Sequence, residues 1–393
     1  MTTAPPTDLT TADIIAAVDG LVPLILSHAD DITEARRLTP DVVAALRQAG
    51  VFRMPMPESW GGPEMPPPDQ LRIIETLSAA DPSVGWCAMI GSDSGFYSSF
   101  FDDDVAHRLW PDLDVVTAGW LFPAGQARRV PGGYSLSGRW SFGSGCTHAD
   151  VIVAGFMVMD ETGAPEMADS LPVMRIAVAP ASSYEILDTW HTTGLAGSGS
   201  NDYTCSDMFV DDAHTFGLDR PVRRAGALYR LPSAFFANVH GVPLGLARRA
   251  IDEVIGIAQG KLLLPQFTVM RDVPRVKEAI ADAEILLRSA RAYSYAALES
   301  VWASLVADQP ISAQQRVDLT LSRVQAFRVA RDVAQRMVSL AGTQAIYRTS
   351  VLDRLLRDAI TLNQHVVAGT MMSEGAGGLA LGIEPSGFAA NLI

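Results

Sequence analysis

Between Val115 and Phe216 the chain changes its period, and this constrains the fold more than any other feature. The stretch divides into short β-type runs separated by turn residues: "VVTAGWLF", "GGYSLSGRWSFGS", "DVIVAGFMVM", "PVMRIAVAP", "YEILDTW" and "TCSDMFV". "PGGYSLSGRW" reads as a hairpin turning at Gly132-Gly133. Six such runs with no helix between them predict a small barrel or sandwich. On either side the apolar residues recur every three or four positions, as helices require. "TTADIIAAVDGLVPLILSHADDITEARR" and "TPDVVAALRQAGVF" precede the β block, the second opening on a Thr cap and closing at Gly50. "VKEAIADAEILLRSARAYSYAALESVWASLV", "QRVDLTLSRVQAFRVARDVAQRMVSLAG" and "SVLDRLLRDAITLNQHVVAGTMM" follow it, each long enough for a bundle helix, and a Gly-rich tail closes the chain. The expectation is an α+β multidomain chain: an N-terminal helical domain over 1–115, a central β-barrel over 116–217 and a C-terminal four-helix bundle over 218–393.

The 393 residues are 48% hydrophobic and only 19% charged, which calls for extensive burial and for subunit contacts over part of the surface. A formal net charge of -14 argues against a nucleic acid or an anionic membrane as partner. "MTTAPPTDLTTADII" reads as a short mobile lead with no basic leader, and no uninterrupted apolar stretch is expected to cross a bilayer. Cys87, Cys146 and Cys205 are odd in number and unrelated in context, as thiols in a reducing cytoplasm would be. Neither C-x-x-C nor H-E-x-x-H occurs, so no metal site is expected.

"TWHTTGLAGSGSNDY", Thr189 to Tyr203, poses the functional question. Its G-x-x-G-x-G spacing reverses the dinucleotide fingerprint, and no strand–turn–helix pattern surrounds it. Three readings stand: a phosphate loop, an ordinary tight turn, or one lip of a cofactor cleft.

The order of blocks and four motifs resemble the acyl-CoA dehydrogenase superfamily over nearly the whole chain. "AGVFRMPMPESWGG" resembles its first helix end and proline turn, "LSAADPSVGW" its second helical signature, "GGYSLSGRWSFGSGCTHADVIVAG" the hairpin beside the flavin, and "RLLRDAI" the Arg-Asp pair of the last bundle helix. Two branches then diverge. A dehydrogenase needs a carboxylate to remove a proton, often eight residues beyond that Asp. Counting from Asp358, the eighth residue is Val366, with His365 before it. Glu374 remains as a weak candidate base. "WSFGSGCTHAD", "GLAGSGSND" and the histidine seven residues beyond Arg-Asp are more similar to the two-component, flavin-dependent monooxygenases of this fold.

That resemblance implies the oxygenase component of a two-component system. It would take reduced FMN or FAD from a separate NAD(P)H:flavin reductase, bind molecular oxygen as a C4a-hydroperoxyflavin, and hydroxylate a small aromatic or polycyclic phenol. It also implies a cytoplasmic homotetramer. Two alternatives remain open, an acyl-CoA dehydrogenase and a non-catalytic flavin-binding or scaffold protein. By the resemblance, Ser144, followed by Gly145, lies near flavin N5. Strand alternation puts Trp140, Phe142 and Ser144 on one face, as an aromatic wall or simply as barrel core. Ser198, Gly199, Ser200 and Asn201 offer close backbone and donors to a cofactor's ribityl or phosphate oxygens. His365 and Asp358 are expected on one helix face, about 10 Å apart. With an ordinary pKa, His365 would accept a phenolic proton. Trp86 lines the substrate side or the core, Arg357 and Asp358 form an ion pair, His148 supports the Ser144 loop or lies exposed, and His191 caps a strand.

Overall fold

The computed structural model describes residues 9–386, 390, 392 and 393; the expected lead over residues 1–8 and part of the Gly-rich tail lie outside them. The chain forms two compact units. The first comprises Met1–Met65, Cys87–His191 and Ala196–Arg230, and the second Pro66–Trp86, Thr192–Leu195 and Leu231–Ile393.

In the first unit, α1 (Thr11–Ala35) opens on a reciprocal cap: the Thr10 hydroxyl accepts the Asp13 N–H, and the Asp13 carboxylate accepts the Thr10 N–H. Its buried stripe of Ile14, Val18, Ile25, Ala29 and Ile32 follows helical spacing. Among the described residues α1 alone is long and apolar enough, by length and composition, to cross a membrane, and Asp19 interrupts its apolar run. Short helices α2 (Pro40–Gln48), α5 (Ser94–Ser98) and α6 (Asp103–Leu109) lead to the sheet.

Seven strands build that sheet: β1 (Thr117–Val130), β2 (Gly133–Gly143), β3 (Val151–Met159), β6 (Met174–Pro180), β7 (Glu185–Leu187), β8 (Asn201–Asp211) and β9 (Thr215–Phe216), with a small ribbon, β4 (Met167–Ala168) and β5 (Leu171–Pro172), between β3 and β6. Their order is β7-β8-β2-β1-β3-β6-β9, so the hydrogen-bonded ladder of the expected barrel is open at β7 and β9. β1 and β2 form the predicted hairpin, with Val130 opposite Gly133. β1 runs parallel to β3, a pairing that a chain of short hairpins does not suggest. Trp140, Tyr203, Tyr134 and Phe156 fill the core of this unit.

In the second unit, α3 (Pro67–Ala80) packs on α7 (Gly241–Ala258). A Cβ at Gly245 would stand 2.3 Å from the Glu75 carbonyl oxygen, so only hydrogen allows this approach. α8 (Pro274–Val306), α9 (Ala313–Ala341) and α10 (Val351–Leu362) complete the helical bundle with α7. α10 ends sooner than its periodicity predicts, and α11 (Thr370–Ala380) turns part of the expected Gly-rich tail into helix.

Candidate functional site

In the first unit the polar loop after β2 is built by a register slip. β2 pairs with β8 through Trp140–Tyr203, slips, and resumes at Gly143–Asn201. Phe142 takes up the slack with φ +63°, an uncommon backbone for a bulky residue. The side-chain alternation therefore breaks, and Trp140 and Phe142 do not share a face. Trp140 is 0% exposed, stacks on Tyr203 at 5.4 Å and donates its indole N–H to the Gly155 carbonyl at 2.7 Å. It is core, sealed away from any bound molecule. Phe142 is 56% exposed and lies 5.0 Å from Trp120 and 6.2 Å from Trp190. Trp120 in turn meets Phe122, itself exposed, at 6.1 Å. The sequence reading missed Trp120, Phe122 and Trp190. No short motif marks them, because the slip at Phe142 is what draws the rings together.

The loops that follow β2 and precede β8 carry a line of hydroxyls. Ser144 Oγ lies 2.8 Å from Ser200 Oγ, which lies 2.7 Å from Ser198 Oγ, all three buried. The Gly145 N–H donates to the Ser198 carbonyl at 3.0 Å, and the Cys87 thiol points at the same oxygen. Gly145 (φ +73°) and Gly199 (φ +53°) hold the two loops in left-handed turns. Four residues singled out from the sequence thus meet: Ser144, Gly145, Ser198 and Ser200. Asn201 does not join them as a donor. Its carbonyl oxygen accepts the Thr189 and Trp190 N–H groups at 3.0 and 2.9 Å, and its amide donates to the Gly199 carbonyl, so it fastens the loop instead.

His148 is half-buried, neither exposed nor fully enclosed. Both ring nitrogens are sealed from solvent without a hydrogen-bond partner, and burial pushes its pKa down to about 4. The ring packs against Gly145, where a Cβ would stand 3.2 Å from it. His191 is exposed, beside the Arg36–Asp188 ion pair.

In the second unit, His365 lies outside the helix that was expected to carry it. α10 closes at Leu362, and His365 sits in extended backbone (φ -68°, ψ 147°) as the cap of a short 3-10 turn, Val366–Ala368. The shared helix face with Asp358 therefore does not exist. The imidazole meets Trp86 edge-on at 5.0 Å and Phe236 at 5.8 Å. Burial pushes its pKa down to about 4, so it is neutral at pH 7. Its Nδ1 accepts the Val367 N–H at 3.4 Å, which puts the proton of the neutral ring on Nε2. At rest His365 therefore presents a donor, not the acceptor expected from an ordinary histidine.

Arg357 and Asp358 are not an ion pair either. Arg357 pairs with Asp353 at 2.9 Å and donates to the Thr193 carbonyl. Asp358 is buried and accepts the Leu195 N–H at 2.6 Å. Burial, reinforced by the Asp81 carboxylate, pushes its pKa up to about 7. Glu374 is exposed on α11.

Family models for the acyl-CoA dehydrogenase N-terminal and C-terminal domains match residues 21–101 and 239–369. An indole-3-acetate monooxygenase of Pseudomonas putida is 35% identical over 89% of both chains. The oxygenase component of an FADH(2)-dependent resorcinol hydroxylase from a Rhizobium species is 29% identical over 95% of both. The structure of the HsaA monooxygenase from M. tuberculosis superposes with a TM-score of 0.88 over 97% of this chain and 100% of its own, at 24% identity, which is evidence for the fold. The chain belongs to the acyl-CoA dehydrogenase superfamily, within its branch of flavin-dependent monooxygenase oxygenase components.

Proposed function

We propose that the protein inserts one atom of molecular oxygen into a small aromatic substrate, using reduced FMN or FAD supplied by a separate NAD(P)H-dependent reductase. A homotetramer in the cytoplasm, within reach of that reductase, fits the same reading. The residues of the first unit suit a flavin: the exposed faces of Phe142 and Phe122 offer flat apolar contact, and the Ser144–Ser200–Ser198 hydroxyls offer polar atoms to its edge. When bound, reduced flavin supplies the electrons that activate oxygen.

The observation that carries the reading is His365, a neutral imidazole held between the Trp86 and Phe236 rings, while the only carboxylate singled out for dehydrogenase chemistry, Glu374, is exposed on α11. A neutral ring of this tautomer does not strip a proton from an unactivated carbon. It holds a substrate oxygen by donating from Nε2, while Trp86 and Phe236 exclude water around it. The Ser144 hydroxyl orients the cofactor's polar edge.

The test is a coupled assay with chemically reduced FMN or FAD, 18O-labelled oxygen and a panel of phenols and indoles. The wild type should place one labelled atom in product. His365→Ala should lower product yield about tenfold or more, with oxygen consumption continuing as released hydrogen peroxide. Anaerobic flavin reduction by an acyl-CoA thioester, or unlabelled product, would overturn the proposal.

A further inference from the structure

Arg323, in the middle of α9, is 0% exposed. Its Nη1 donates to the Leu392 carbonyl at 3.3 Å, while its Nε and Nη2 are sealed from solvent with no hydrogen-bond partner among the described residues. These two atoms stand side by side on one edge of the guanidinium and donate in parallel, the fork that fits the two oxygens of a carboxylate. The first unit shows that fork filled. Arg53, also buried, donates from Nε to Asp114 Oδ1 at 2.9 Å and from Nη2 to Oδ2, and Arg129 grips Glu166 in the same way at 2.9 and 3.0 Å. Around Arg323 burial acts alone and pulls its pKa down to about 9, so at pH 7 it is a buried cation without a counter-ion. An uncompensated buried charge is costly, and an edge of donors with nothing to receive them marks a place that a ligand completes.

The fork lies where the second unit gathers its rings. Ser322, beside Arg323, meets His240 Nε2 at 3.1 Å, which sets the start of α7 against this turn of α9. Four residues before His240 stands Phe236, whose ring is 5.8 Å from His365. From the other side, the Asn363 amide donates at 2.9 Å to the carbonyl of Phe327, one turn beyond Arg323, and holds the chain leading to His365 on the same helix. Trp86, on α4 (Pro82–Gly91), meets His365 at 5.0 Å. Arg323 is thus bracketed by the two segments that carry the His365–Phe236 pair. Leu392 and Ile393 cover this place: they pack into one apolar cluster with Val324, Phe236 and Val366. The Leu392 carbonyl gives Arg323 one neutral acceptor where a carboxylate gives two charged ones.

We propose that Arg323 binds a carboxylate carried on the aromatic substrate, with the ring beside His365, Trp86 and Phe236 and the acid arm reaching the guanidinium edge. The proposal rests on the aromatic oxygenase reading and narrows its substrate class to aromatic acids. The carboxylate oxygens accept from Nε and Nη2, and the arm enters by displacing Leu392 and Ile393 from the sealed fork. His365 and Arg323 then hold opposite ends of the molecule, so that the ring presents one edge for oxidation.

The test titrates the protein, with oxidised FMN or FAD present, against hydroxyphenyl acids with arms of one, two or three methylenes and against their primary amides, by calorimetry without turnover. The amide keeps the size and loses the charge. At one arm length the wild type should bind the acid about 10–100-fold more tightly than the amide, the value of hydrogen bonds to a charged group. Arg323→Met should bind acid and amide alike, with its affinity for the amide unchanged. Arg323→Lys keeps the charge without the fork and serves if the Met variant fails to fold; it should retain a smaller preference. Equal affinity or no binding at every length in the wild type, or an undiminished preference in Arg323→Met, would overturn the proposal. So would acetate that raises Tm as much as the aromatic acid does, since that marks a site for any small anion. Acid-selective binding with no labelled oxygen in any product would support the role of Arg323 and overturn the oxygenase reading. Labelled product from phenols or indoles with no preference for acids would do the reverse.

Discussion

Asp81 and Asp358 are two buried carboxyl groups near enough for one charge to raise the pKa of the other. They are not equivalent. Asp81 accepts N–H groups from Ser83 and Val84 and is further favoured as an anion by Arg354 and Arg249. Asp358 has a backbone donor from Leu195 and holds its proton to about pH 7. Since its folded pKa is raised above 3.8, its contribution to stability is full below that value and is lost as pH rises through 7. Asp358→Asn keeps an acceptor for Leu195 and removes the ionisation. The variant should therefore gain on the wild type between pH 5 and pH 8, by of order 2–4 kcal/mol, read as a growing difference in Tm. At this scale the sequence was legible where identity suffices, as for the serines, and illegible where backbone angle decides. Nothing in "RWSFGSG" announces that Phe142 adopts a positive φ, and this single angle turns Phe142 outward and leaves Trp140 in the core. Asp358 was misassigned because its charge in sequence pointed to Arg357, while burial made it an acid with a different partner.

At the scale of elements, periodicity located α1, α2, α8, α9 and most of α10, and six of the seven strands of the main sheet, because apolar spacing records which face is buried. It failed where an element stops without Gly or Pro. α10 ends at Leu362, where the Asn363 amide donates to the Ala359 and Phe327 carbonyls, and "NQHVV" continues the apolar spacing without continuing the helix. His365 owes its position, and its tautomer, to that stop. Close packing is equally hidden in composition. Gly245 and Gly256 both lie on α7, yet a Cβ at Gly245 would collide with backbone of α3, whereas one at Gly256 would meet nothing within 4 Å. Gly256→Ala should stabilise the protein by about 1 kcal/mol through helix propensity. Gly245→Ala gains the same propensity but forces two helices apart, and should destabilise it by about 1–3 kcal/mol net. Urea denaturation of the pair checks both signs.

On the scale of the molecule, the three blocks visible in sequence are not the two units that pack. Residues 66–86 precede the sheet yet belong with residues 231–393. α3 contributes Leu71, Ile73, Ile74 and Leu77 to the buried interior, each worth about 1.5–3 kcal/mol if exposed. Their sum is comparable to the whole margin of a domain, about 5–15 kcal/mol. A fragment of residues 231–393 should thus show no cooperative thermal transition by circular dichroism. Joining residues 66–86 to it through a flexible Gly/Ser linker should restore one; a cooperative transition in the fragment alone would contradict the argument. Sequence period could not reveal this partition, since it reports which face of an element is apolar and not which distant segment covers it.

The interleaving has a consequence for a nascent chain. α3 leaves the ribosome with its oily side bare, and α7, the helix that covers it, starts only at residue 241. At ordinary translation speed that gap lasts roughly 10–30 s. During that interval α3 must be shielded by chaperones or risk sticking to its neighbours, so the yield of soluble protein should depend on elongation rate and chaperone supply.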